Sequence, residues 1–203
     1  MVRHGSECRA NFEMCIKLFK EIIFIFLAWY TDSNTHLNKY KTMLKVGRKA
    51  PAFKLVDQDE NVHSLKDYMG KWVLVYIYPK DDTPGCTKEA CAIAEVYGDF
   101  KRLGVTVFGL SKDTPKSHKK FADKYNLPFT LLSDETMATI DKYGALVEKQ
   151  MYGKPARGTL RISYLINPEG KITTVYPKVD PASHALELLA DIKIAKKEYT
   201  AAK

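Results

Sequence analysis

Two cysteines, Cys86 and Cys91, stand five residues apart in the stretch YPKDDTPGCTKEAC (78–91), and only four cysteines occur in the whole chain. A thiol attacks as its thiolate, so its surroundings decide what it can do. The apolar run KWVLVYIY (71–78) reads as a buried strand, Pro79 ends it, and KDDTPG forms a loop. Cys86 then falls at the start of a helix, beyond the carboxyl end of that strand, where ligands and active sites gather in open α/β sheets. A helix N-terminus presents N–H groups without intrahelical partners and carries roughly half a positive charge. Both favour a thiolate there. Thr83, three residues earlier, has a hydroxyl that can face the sulfur or an oxygen under attack.

Cys91 adds a geometric constraint. Five residues along an intact helix give about 7.5 Å of rise and about 140° of rotation, hence about 8–9 Å between Cα atoms. A disulfide spans less than about 7 Å. The two sulfurs can join only if the first turns unwind, which predicts a redox switch, not a permanent staple. Two incidental thiols, one facing the core, remain the alternative from spacing alone. Zinc fits poorly, because His63, His118 and His184 show no ligand-like spacing with the pair. His118, in TPKSHKKF, is expected to be a surface or capping histidine. Glu89 reads most simply as a helix-surface acid near the positive end of the dipole.

The elements that must hold this pair alternate. Strands are expected at 71–78, 105–110, 129–132, 159–166 and 171–176. The last two form a hairpin around the Asn167-Pro168-Glu169-Gly170 turn. Helices are expected from Thr87 to about Leu103, from Thr114-Pro115 through Asn126, from Asp134 to Gly144, and from Pro181 onward. This order predicts an α/β fold, a mixed central β-sheet flanked by helices.

Bulk properties exclude other classes. With 45% hydrophobic and 28% charged residues the composition is that of an ordinary soluble protein. Four cysteines in 203 residues cannot form a disulfide scaffold. The net charge of +8 comes from lysines scattered among acids, with no basic block or interleaved aromatics, so neither a nucleic-acid nor a membrane partner is expected.

Residues 1–42 differ from the rest. The apolar run from Ile22 to Tyr30 is too short to span a membrane, which takes about 20 residues. It has the length of a signal-peptide core, but LAWYTDSN is a poor cleavage site. An anchor, a targeting peptide, or sequence upstream of a true start at Met43 all fit; the abrupt change in composition favours the last. The domain is therefore expected over residues 43–203. Cys8 and Cys15 are assigned no role.

The segment PKDDTPGCTKEAC resembles the active-site stretch of the peroxiredoxins, with their Pro-x-x-x-Thr-x-x-Cys pattern at Pro79, Thr83 and Cys86. The second cysteine five residues on is similar to the bacterioferritin-comigratory-protein or Q-type branch, the atypical two-cysteine kind. VGRKAPAFKL, SKDTPKSHKKFADKYNLPFTLLSD and GTLRISYLINPEGKI extend the likeness over about residues 43–197. The resemblance implies a thioredoxin-like fold and a thiol peroxidase acting on hydrogen peroxide and organic hydroperoxides in antioxidant defence and redox homeostasis. It implies a peroxidatic Cys86 that becomes a sulfenic acid and a resolving Cys91 that closes a disulfide. Thr83 would bond the peroxide, Pro79 would shield the site, and Arg161 would lie beside the thiolate; Glu89 falls where the family carries an acid or amide near the active site, but is left out of the core set. No metal or haem would be needed, and a thioredoxin-type dithiol would recycle the enzyme. A monomer is expected, and a cytoplasmic location, since the cycle consumes thiols.

Overall fold

A computed structural model describes residues 43–151 and 154–202. The N-terminal segment 1–42, with Cys8 and Cys15, lies outside the described residues. The chain runs β1 (Lys54–Asp57), β2 (Val62–Ser64), a 3-10 turn (Leu65–Tyr68), β3 (Trp72–Ile77), α1 (Pro84–Glu95), α2 (Tyr97–Arg102) and β4 (Val105–Ser111). It continues through α3 (Pro115–Tyr125), β5 (Thr130–Ser133), α4 (Ala138–Lys142), β6 (Leu146–Met151), β7 (Lys154–Thr159), β8 (Ile162–Ile166), β9 (Ile172–Tyr176) and α5 (His184–Ala201).

Seven strands form one sheet in the order β2-β1-β5-β4-β3-β8-β9, and β6 with β7 form a separate two-stranded ladder. β3, β4 and β5 are parallel; β8 pairs antiparallel to β3, and β9 antiparallel to β8, as the Asn167–Gly170 turn requires. Every residue of β3 is buried, which explains why its sequence is a continuous apolar run and not an alternation. Leu74, Tyr76 and Tyr78 on one face pack with Ala90 and Ile93 of α1, Phe121 of α3 and Leu188 of α5. Each fully buried aliphatic side chain there contributes about 1.5–3 kcal/mol. Gly109 of β4 is required by this packing, because a Cβ there would fall 2.7 Å from the Tyr76 hydroxyl.

Several expectations need correcting. The helix foreseen from Thr87 to about Leu103 begins earlier, at Pro84, and breaks at Val96 into α1 and α2. The helix foreseen from Asp134 is only Ala138–Lys142: the Asp134 carboxylate instead accepts from the Thr139 and Ile140 backbone N–H groups, both at 2.8 Å, capping the helix from outside. The strand foreseen at 159–166 is interrupted at Leu160 and Arg161, where β7 ends and β8 begins. β1, β2, β6 and most of β7 had no counterpart in the sequence reading.

Candidate active site

The register of the sheet builds the site. β3 and β8 run antiparallel with Ile77 opposite Ile162. Arg161, one residue before β8, therefore comes level with the end of β3, where the chain leaves for the cysteine loop. In this way two residues 75 apart in sequence meet: Arg161 Nη2 donates to Cys86 Sγ at 3.2 Å. Gly85 permits the approach, since a Cβ at that position would sit 3.3 Å from the same nitrogen.

Cys86 is buried, 2% exposed, in the first turn of α1. Pro84 opens the helix, where its missing N–H costs nothing. Thr83 is the N-cap, but its side chain makes no capping bond: the hydroxyl donates to the Lys80 carbonyl at 3.0 Å. That bond uses its one hydrogen and leaves its lone pairs as acceptors. Pro79 is half-buried at the start of the loop. Cys91 lies on the same unbroken helix, half-buried, and both thiols are free. Burial pushes the Cys91 thiol up, and the nearby Glu95 charge adds to the shift. The described conformation is thus the reduced, helical one that the five-residue spacing anticipates.

Behind Arg161 lies a second layer. Its Nη1 donates to Glu89 Oε2. Glu89 is 1% exposed, so the reading of a helix-surface acid is wrong. α1 turns that face onto α5 and the sheet. Burial drives the Glu89 carboxyl up to about 7, against the pull of the Arg161 charge. Its other oxygen, Oε1, has no hydrogen-bond partner and faces His184 Nε2 at 3.9 Å. His184 is fully buried and pairs with the Ser163 hydroxyl at 2.8 Å. Burial, reinforced by Arg161, lowers its pKa to about 4, so the imidazole is neutral near pH 7.

The loop before Cys86 is anchored on its other side by a network that the sequence did not disclose. Asp81 is buried and accepts from the Tyr78 hydroxyl at 2.8 Å, the Ser117 hydroxyl at 2.8 Å and His118 Nδ1 at 2.9 Å. His118 Nε2 faces the Leu132 carbonyl at 3.1 Å. His118 is therefore not a surface or capping residue but fully buried. With Phe121, Ala122 and Tyr125 it completes an i, i+3, i+4, i+7 stripe, a signal the sequence did contain. The Asp81 backbone N–H donates to Asp113 at 2.8 Å. Asp82 adopts a left-handed φ of 53°, unusual outside glycine, and is gripped at the surface by Lys124 at 2.7 Å and the Tyr125 hydroxyl at 2.7 Å.

No group of three or more His, Cys, Asp or Glu is placed to hold a metal ion among the described residues, and none of the described helices is long and apolar enough to cross a membrane. The chemistry this geometry can do is nucleophilic: a buried sulfur against a guanidinium, at a helix N-terminus, with a hydroxyl acceptor nearby.

Known proteins carry the same arrangement of sequence and fold. The AhpC/TSA family matches residues 46–175. The Bcp peroxiredoxin of Coxiella burnetii is 47% identical over 146 residues, covering 72% of this chain and 97% of its own. Peroxiredoxin Bcp of Escherichia coli K12 is 44% identical over 141 residues, covering 70% of this chain and 90% of its own. Among solved structures, the bacterioferritin comigratory protein of Xanthomonas campestris, described in terms of its alkyl peroxide reduction activity, superposes with a TM-score of 0.67 at 34% identity, over 70% of this chain and 90% of its own. A cysteine-to-serine variant of PrxQ from Xylella fastidiosa gives 0.70 at 30% identity, over 74% and 96%. The chain belongs to the AhpC/TSA family and, within it, to the peroxiredoxins of the Bcp and PrxQ branch. It has their thioredoxin-like fold and is a thiol peroxidase; the family acts on peroxides with thioredoxin-type reductants and works without metal or haem.

Proposed function

We propose that Cys86 is the peroxidatic residue, Cys91 the resolving one, and Arg161, Thr83 and Pro79 their positioning set, in a peroxidase for hydrogen peroxide and organic hydroperoxides. The observation that carries the reading is the 3.2 Å bond from Arg161 Nη2 to Cys86 Sγ. A guanidinium held there keeps a positive charge against the attacking sulfur and leaves further N–H groups for the peroxide oxygens.

The steps balance simply. The Cys86 thiolate attacks the hydroxyl-bearing oxygen of ROOH, the O–O bond breaks, and the products are a sulfenic acid and RO⁻, which takes a proton to become ROH. Sulfur is oxidised and the peroxide reduced. Thr83, already donating to Lys80, can accept only, so it binds the peroxide through its O–H and directs that oxygen at sulfur. Pro79 covers the strand end. The Cys91 thiolate then attacks the sulfenic sulfur, expels hydroxide, which leaves as water after taking up a proton, and forms the Cys86–Cys91 disulfide. α1 must unwind for this, because it is continuous through both cysteines. A thioredoxin-type dithiol reduces the disulfide. We place the protein as a monomer in the cytoplasm, where such reductants operate. Residues 1–42 are read as outside the working domain, 43–203.

Two variants test the assignment. Cys91→Ser should consume one equivalent of peroxide at the normal rate and then stop, with no thioredoxin-linked turnover. Cys86→Ser should lose both. Sustained thioredoxin-linked turnover by Cys91→Ser would remove Cys91 from the resolving role.

A further inference from the structure

One buried cation in this site faces two acids. Arg161 touches both the Cys86 sulfur and the Glu89 carboxylate, and Glu89 is 1% exposed. If both were anionic, the buried set would carry an uncompensated negative charge, which desolvation opposes. If Cys86 becomes a neutral sulfenic acid while Glu89 is protonated, Arg161 is left unpaired instead. Only an exchange keeps the set neutral in both states.

We propose that the Glu89 carboxyl holds a proton while Cys86 is a thiolate and gives it up when Cys86 is oxidised, so that the proton required by the leaving oxygen is balanced from within the protein. The step reads Cys86–S⁻ + ROOH + Glu89–COOH → Cys86–SOH + ROH + Glu89–COO⁻. The O–O and carboxyl O–H bonds break, the S–O and leaving-group O–H bonds form, sulfur is oxidised, the peroxide is reduced, and charge is conserved. Glu89 does not touch the substrate; it acts through Arg161.

The surroundings support a carboxyl that is protonated in the reduced site. On α1 itself the neighbour is Cys86. From β3, Tyr76 presents a buried hydroxyl without a partner, and from β8, Ser163 presents its hydroxyl to His184. From α5 comes His184, which is neutral, so it offers Glu89 no second cation. Asp81, in the loop after β3, is engaged by Tyr78, Ser117 and His118. Glu89 Oε1 is buried and unpartnered, 3.9 Å from a His184 Nε2 that is already bonded to Ser163, so no donor reaches it to stabilise a carboxylate. On its other side His184 Nδ1 lies 3.5 Å from the half-exposed Glu187, with no hydrogen bond between them. A carboxyl raised to about 7 is poised to switch near neutral pH.

The inference rests on the assignment of Cys86 as peroxidatic, and the test separates the two. The full chain with Cys91→Ser is mixed with one equivalent of hydrogen peroxide in weak buffer, and proton uptake is read with an indicator dye. The sulfenic acid formed is trapped and counted by mass in the same sample. With Glu89 as donor, uptake near pH 6 should be about 0.1 proton per sulfenic acid, rising to about 0.9 near pH 8, the fraction of a group titrating near 7 that has no proton to give. Adding Glu89→Gln should raise uptake at pH 6 toward one. Equal uptake with and without Glu89→Gln overturns the inference; absence of sulfenic acid overturns the assignment beneath it. Should Glu89→Gln fail to fold, infrared difference spectra of Cys91→Ser alone decide. Loss of a buried protonated-carboxyl band on oxidation is expected, and an unchanged carboxyl region contradicts the proposal.

Discussion

The chain on either side of Cys86 is held in opposite ways. Before it, residues 79–83 are tied down at several points: Asp81 by Tyr78, Ser117 and His118, its N–H by Asp113, and Asp82 by Lys124 and Tyr125. After it, α1 starts at a threonine that makes no side-chain cap and has no acid in its first turn and no base in its last. Its polar ties to the rest run through Arg161, to Cys86 and to Glu89, beside the apolar contacts of Ala90 and Ile93. A helix so poorly capped forgoes about 1 kcal/mol at its N-terminus alone. On the proposed cycle, this difference puts the hinge after Cys86, with the loop staying while the helix opens toward Cys91.

The contrast can be broken at its strongest point. Asp81→Ala leaves a buried tyrosine, a serine and a histidine without their common acceptor. We expect it to cost about 3 kcal/mol of stability, read by urea unfolding, together with a slower reaction with peroxide as the loop loosens. A shift in urea midpoint within error of wild type would mean that the loop is held by something other than this network.

The tie on the helix side has a pH signature. Between about pH 4.5 and 6.5 the unfolded chain carries the proton on His184 and not on Glu89, while the folded chain carries it on Glu89 and not on His184. The proton counts match, so the pair adds little slope to wild-type stability in that window. Each partner alone exposes its own slope. In Glu89→Gln the depressed histidine remains, and stability should fall as pH drops from about 6.5 toward 4. In His184→Gln the raised carboxyl remains, and stability should fall as pH rises from about 4.5 toward 7. Each slope should amount to about 1–3 kcal/mol across its window. Parallel pH profiles for the two variants would contradict the pairing.

The smallest test sharpens the comparison. Thr87→Ala replaces a β-branched residue within α1 by the best helix former, a gain of about 0.5 kcal/mol. It should slow closure of the Cys86–Cys91 disulfide about twofold in stopped-flow while leaving the peroxide step unchanged. A faster closure would mean that the helix does not unwind on the way to the disulfide.

How much of this was legible in advance differs by residue. Cys86, Thr83 and Pro79 sit in one short stretch whose strand-loop-helix pattern is local, and the structure places them as that pattern requires. Arg161 was found through likeness to the family, since nothing in TLRISYLI says that a strand breaks there or that its register meets Ile77. Glu89 was pointed to only by likeness to the family, and Asp81 and His184 were not legible at all, because burial of a polar group depends on what another element lays over it. Gly85 looked like an ordinary loop glycine, and only the closeness of Arg161 gives it a reason. His118 is the instructive miss: its helical spacing to Phe121 and Tyr125 was present, and its polarity was given too much weight. The β6–β7 ladder carries no strong alternation to announce it.

The central claim is that Cys86 and Cys91 form one reversible redox pair. It is tested most directly by the intact mass of residues 43–203 before and after one equivalent of hydrogen peroxide, followed by digestion. The account predicts a loss of two hydrogens, mapped to a Cys86–Cys91 disulfide and restored by thioredoxin. Two free thiols after peroxide, or a disulfide that excludes either cysteine, would contradict it.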